Sequence, residues 1–242
     1  MINLPKKNGK YFIDRDAHTF QLILHYLRNS TLPIFSSPTE ESNFFQELSF
    51  WKIPLIQKVP NFTFDKNWCA ETLIIENKGK HLKKRNPQHG IVFVKPGLNA
   101  FSPYIEFKVF LNVPSKTKSH LFLGLVDMTK YKKNYLLSTY WKESPSAFYW
   151  DVWNTQLIKT DETGAQVLTK NGYGCDYEEY ENKLAIEYNQ EKRTVNFYKN
   201  DINLGTAFHN VPPNLTPALD VWFENGIIKI IDTPGPEEKI YL

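Results

Sequence analysis

Cysteine is scarce: Cys69 and Cys175 are the only two in 242 residues, and they lie far apart. A small disulfide-stapled secreted scaffold is excluded, and the two thiols read as reduced in an intracellular setting, cytoplasmic or nuclear. No apolar run approaches the roughly 20 residues a membrane-crossing helix needs. The first ten residues are polar and basic and do not read as a signal peptide. Charge of one sign is not in excess either, with 29 basic against 26 acidic residues and a net +3. Nucleic-acid binders usually carry a stronger basic bias.

Catalytic and metal-binding motifs are missing as well. The six histidines form no His-x-x-x-His, and there is no Cys-x-x-Cys, so the spacing of a structural zinc site is lacking. Neither a Gly-x-Ser-x-Gly elbow nor a phosphate-binding Gly-x-x-x-x-Gly-Lys loop occurs. Gly172-Tyr173-Gly174 reads as a turn that needs permissive backbone. Asp176, Glu178, Glu179 and Glu181 read as a solvated acidic loop. The expectation is a protein that is not an enzyme and has no cofactor. A basic run, Lys78, Lys80, His81, Lys83, Lys84 and Arg85, leaves nucleic-acid binding through residues 78–85 as a lesser alternative.

Aromatic residues are abundant: 17 Phe, 13 Tyr and 6 Trp. With 15 prolines, they favour β-structure over a helical bundle. The first 56 residues nevertheless have helical periodicity. Asp16 suits an N-cap, Phe20, Ile23, Leu24 and Leu27 share one face, and Pro33 closes the element. A second helix is predicted after Pro38, with Glu40 and Glu41 in its first turn and Phe44, Leu48 and Trp51 on one face.

From about Pro60 the period becomes two. Strands are predicted at residues 72–75, 91–94, 104–111, 121–127, 184–188 and 194–197. Glu224-Asn225-Gly226, between Val221-Trp222-Phe223 and residues 227–230, predicts a hairpin, because Asn-Gly accepts the positive φ of a tight turn. Many short strands with frequent turns imply an all-β sandwich or barrel.

Segments in a fixed order carry a resemblance. Phe101-Ser102-Pro103-Tyr104-Ile105-Glu106-Phe107, Leu121–Val126, Tyr149-Trp150-Asp151, Gly172-Tyr173-Gly174 with Leu184–Tyr188, Thr194–Asn200 and Leu204–Phe208 with Leu215–Ala218 resemble the SPRY domain over residues 62–232. Asp201 stands where that family has a turn glycine. Tyr11–Asp16, Phe20, Ile23-Leu24, Tyr26-Leu27-Arg28 and Glu47–Pro54 resemble part of a BTB domain of the potassium-channel tetramerisation type, over residues 9–55. The opening strands and first helix of that family have no counterpart in the sequence.

These resemblances imply a mainly β, antiparallel, concanavalin-like sandwich over residues 57–232. It would follow a small helical segment at 1–56 and precede a tail at 233–242. They also imply a non-enzymatic protein-interaction module that takes a peptide or loop of a partner protein. Through a cullin scaffold it would act as substrate receptor of a ubiquitin ligase; the alternative is a structural or homo-oligomerising scaffold. Within the SPRY family the SOCS-box type is the most similar, and its ligand positions fall on Arg85, Pro87, Tyr135 and Trp222. Phe223 replaces a glycine that the peptide approaches, which implies a different peptide specificity. Trp150 reads as core, whereas Tyr135 and Trp222 read equally as core or rim, and Arg85 equally as a plain solvated charge.

Overall fold

The computed structural model describes residues 6–7, 10–11, 15–29, 33–53, 61–86, 88–99, 102–111, 120–131, 145–174, 180–223 and 226–232. The chain divides into two compact units, Met1–Ile56 and Gln57–Leu242.

In the first unit a short ladder pairs β1 (Lys6–Lys7) with β2 (Lys10–Tyr11). Two helices follow, α1 (Ala17–Asn29) and α2 (Pro38–Trp51). Asp16 starts α1 as expected, its carboxylate accepting from the Thr19 N–H and hydroxyl, each at 2.7 Å. Ser37 caps α2 by accepting from Glu40 N–H at 3.2 Å, and Pro38 occupies the first turn, where its missing N–H costs nothing. Glu40 reaches back to the Ser36 N–H and meets the His18 ring of α1. Those bonds, the Ser36 N–H foremost, pull its carboxyl down to about 2.

The buried face of α1 is rotated from the one predicted. Thr19, Ile23 and Tyr26 are buried, while Leu27 is 51% exposed. Tyr26 takes the inward position because its ring meets Phe44 of α2 edge-on, with centroids 5.9 Å apart. Phe44 and Leu48 complete this core, with Phe35, Phe45 and Trp51 packed on it.

The second unit is a sandwich of two seven-stranded antiparallel sheets. Its strands are β3 (Thr63–Cys69), β4 (Leu73–Glu76), β5 (His81–Lys84), β6 (Gly90–Lys95), β7 (Tyr104–Leu111), β8 (His120–Val126), β9 (Ala147–Asp151), β10 (Gln156–Thr160), β11 (Gln166–Asn171), β12 (Tyr180–Asn189), β13 (Thr194–Lys199), β14 (Ile202–Phe208), β15 (Thr216–Trp222) and β16 (Gly226–Ile231). The first sheet runs β11-β10-β9-β8-β15-β6-β3 and the second β14-β13-β12-β7-β16-β5-β4.

Alternate residues of both sheets meet in the main core, among them Leu121, Leu123 and Leu125 from one and Ile105, Phe107 and Val109 from the other. Trp150 is fully buried there, as expected, and its indole N–H donates to Tyr173 O at 3.2 Å. The Tyr173 hydroxyl donates to Gly205 O at 2.7 Å and accepts from the Phe197 N–H. Gly172 and Gly174 flank it at φ 73° and 105°, the permissive backbone the sequence called for. The first sheet is buried on its other face too, where Phe93, Phe122 and Tyr149 cluster.

One turn expectation changes. The runs around Glu224-Asn225-Gly226 do not form a hairpin. β15 pairs with β6 and β8, whereas β16 pairs with β5 and β7 in the opposite sheet. The connection therefore switches sheets, a tertiary outcome that a local turn signal does not encode. At Asp201, by contrast, the turn is an ordinary tight one. Asn200 and Asp201 both adopt positive φ, 49° and 66°, joining β13 to β14. Asn200 Oδ1 accepts from the Lys183 N–H at 2.8 Å, which holds that conformation without glycine.

Candidate functional site

β15 ends at one end of the sandwich, and its last residues organise the candidate site. Ala218, Asp220 and Trp222 point away from the main core, and Leu219 and Val221 point into it. On the neighbouring strand β8, His120 stands opposite Trp222 and Phe122 opposite Asp220. His89, just before β6, completes a group of three rings. Trp222 lies 5.4 Å from each imidazole, and the imidazoles lie 6.2 Å from one another, all with planes within 24° of parallel. A column with Trp222 in the middle would put the imidazoles nearly twice as far apart. The rings therefore meet as a triangle, and Trp222 remains partly exposed. Beneath them is Asp220, 1% exposed, with its Oδ1 3.5 Å from His89 Nδ1.

The loop from β5 to β6 is fixed against this group by its own hydrogen bonds. Arg85 N–H donates to Thr72 O at 2.8 Å, and the Thr72 hydroxyl donates to His89 O at 2.9 Å. Lys84 follows the inward-facing Leu82 by two, so its side chain enters between the sheets. There its ammonium donates to Val221 O at 3.2 Å and to Gln88 O. Burial pulls the Lys84 ammonium down to about 8, against the charge of Asp220, which favours the protonated form. Cys69, at the end of β3, is pushed up to about 11 by the same burial, against the pull of the Arg85 and Lys84 charges. It is a poor nucleophile in this setting.

Of the residues expected at the site, Arg85 and Trp222 are described and belong to this one end. Arg85 is exposed, with no carboxylate partner among the described residues, and Lys84 links its loop to the backbone beside Trp222. Pro87 and Tyr135 lie outside the described residues. Phe223 must be corrected: its ring is fully buried in the main core, because it is the inward-facing residue next to Trp222, so it is not offered to a ligand. His89, His120, Asp220 and Lys84 were not anticipated. His120 and Trp222 meet only through strand register, and isolated histidines carry no sequence signal for that. The basic run is likewise dispersed, since Lys80 pairs with Asp232, and Lys83 with Glu76 at 2.7 Å. Glu181 of the acidic stretch pairs with Lys108 at 2.7 Å. Among the described residues no group of three or more His, Cys, Asp or Glu side chains could hold a metal ion, and no helix is long and apolar enough to cross a membrane.

No curated protein sequence matches the chain. A human SPRY domain is similar in structure over 74% of this chain and 99% of its own, with a TM-score of 0.52 at 13% identity. The SPRY domain of human HERC1 is similar over 70% and 98%, with a TM-score of 0.49 at 17% identity. The neuralized NHR1 domain of Drosophila melanogaster follows over 72% and 99%, with 0.46 at 16%. Residues 2–58 match the model of the BTB/POZ domain family. The chain thus joins a segment that matches the BTB/POZ family model to a sandwich with the SPRY fold.

Proposed function

We propose that this protein is a non-enzymatic receptor that holds a peptide or loop of a partner protein at the rim built by Trp222, His89, His120 and Arg85. The single observation that carries this reading is Trp222, a large ring left partly exposed at the end of a rigid strand and stacked with His89, the residue that closes the Arg85 loop. Trp and Arg are the residue types most enriched where interfaces concentrate their energy, because each brings large contact area and directional bonding. The loop that carries Arg85 is fixed by hydrogen bonds, so little conformational entropy would be lost on docking. Arg85 and Trp222 are also two of the positions at which the resemblance to SOCS-box-type SPRY domains implies ligand contact.

The BTB/POZ-matching segment supplies the second connection in this proposal. It would join the receptor to a cullin scaffold and so present the captured partner for ubiquitin transfer. An oligomerising scaffold without a ubiquitin link is favoured by a different observation: Leu27, Ile34 and Phe50 are large apolar side chains exposed on this unit.

Capture experiments separate these readings. The full chain should retain a cullin from purified components, and removal of residues 1–56 should abolish that. A chain that forms oligomers but leaves the cullin in solution at micromolar concentration leaves only the scaffold reading. Trp222→Ala should weaken partner binding by about 2 kcal/mol with the fold intact; unchanged affinity would remove the rim from the proposal.

A further inference from the structure

The rim carries a defined charge pattern. Asp220, the carboxylate within the group, is 1% exposed and faces His89. Asp65, on β3, is engaged by Lys95 at 3.3 Å. The exposed ionic feature of the β5–β6 loop is the Arg85 guanidinium, which has no acid beside it among the described residues. Next to it in sequence, the partly buried Lys84 ammonium donates to backbone carbonyls, and the charge of the buried Asp220 offsets part of its own. We propose that the rim recognises an acidic linear peptide, with one side-chain carboxylate paired to Arg85 and a neighbouring apolar side chain laid on Trp222. This rests on the rim being the binding site and adds the chemical class of what it holds.

Three further observations point the same way. Guanidinium and carboxylate match as a two-bond fork, a geometry a neutral amide cannot fully reproduce. The depressed Lys84 pKa means its charge is under-compensated where it sits, and an arriving anion would relieve that. A polyanion fits less well: a nucleic acid draws its affinity from several phosphate contacts, and Lys80 and Lys83 of the same run already hold carboxylates of this chain.

The test is a random-sequence array of short peptides probed with the full chain and with its Arg85→Glu and Trp222→Ala variants, each checked for folding by circular dichroism. The expected result is enrichment of Asp and Glu over Asn and Gln among retained peptides. Signal on the acidic peptides should fall about tenfold in Arg85→Glu. Retention that depends on Trp222 but shows no acidic preference, and is unmoved by Arg85→Glu, overturns the charge assignment and leaves the rim reading standing. Retention indifferent to Trp222, or no retention of any peptide, overturns the rim reading and this inference with it. Displacement of the acidic peptides by a single-stranded oligonucleotide that itself binds more tightly, and through Arg85, overturns the inference in favour of nucleic acid.

Discussion

Cys69 and Lys84 lie close together beneath the Arg85 loop, and burial acts on them in opposite senses. The Lys84 ammonium is held at about 8 in the folded chain against an ordinary 10.5. Between those values the unfolded chain keeps a proton that the folded one releases, so folding stability rises as pH climbs through that window. The Cys69 thiol, raised to about 11 from 9.0, works the other way, and its contribution falls as pH climbs between those two values. Denaturation midpoints measured across alkaline pH should therefore climb in Cys69→Ala and lose that climb in Lys84→Met. Peptide mapping after mild alkylation should find Cys69 unmodified in the folded chain and modified once it is denatured. Neither residue was singled out for its ionisation from sequence. Lys84 read as one more cation in a basic run, and what sets it apart is entry between two sheets. Arg85 and Trp222 stand out in the sequence because residue type and family position coincide there, and the fold brings both to one end of the sandwich. Phe223 stood out by family position alone, and strand alternation turns its ring into the core one residue away from the rim.

Period-two alternation made most strands readable, and β7 was placed with its observed ends at Tyr104 and Leu111. Strands buried on both faces gave a different signal, continuous apolar runs such as Leu121–Val126. Gly124 interrupts that run for a steric reason. A Cβ there would sit 2.3 Å from Phe148 O and 2.5 Å from the Tyr149 ring on the neighbouring β9. Gly124→Ala should thus destabilise the sandwich by about 1–3 kcal/mol in chemical denaturation, and loss of less than about 0.5 kcal/mol would mean the strands separate easily. Trp150→Ala, which empties the centre of the main core and orphans Tyr173 O, should cost about 3–5 kcal/mol. The helical pair has its own sensitivity. Because Glu40 is held at about 2 by Ser36 and His18, its contribution is full above the ordinary value of 4.5 and is lost as pH falls toward 2. A nuclear magnetic resonance titration of its carboxyl carbon checks this, and Glu40→Gln should remove the corresponding loss of helix signal. What misled the reading of the elements was the Asn225-Gly226 pair. The residues are those of a tight turn, yet the partner strands of β15 and β16 are chosen by the packing of the whole sandwich.

At the scale of the molecule, the order of segments along 170-odd residues made the sandwich legible, although a human SPRY domain of similar structure shares 13% identity. Alternating core positions tolerate many apolar residues, so a fold of this kind survives wide sequence change. The two units have separate apolar clusters, one centred on Tyr26 and Phe44 and the other on Trp150 and its neighbours. A double dissociation should follow if the proposed roles are right. Phe44→Ala should impair cullin capture and spare peptide capture, while Trp222→Ala does the reverse; both functions failing together in either variant would contradict the division of labour. The step from β15 to β16 has one more consequence. Trp222 faces outward and the adjacent Phe223 is sealed in the interior, so a single peptide bond separates a partly exposed ring from one that the core holds. Descendants of such a chain can exchange the ring, the guanidinium or the imidazoles and acquire new appetites, while the next residue keeps the architecture from drifting with them.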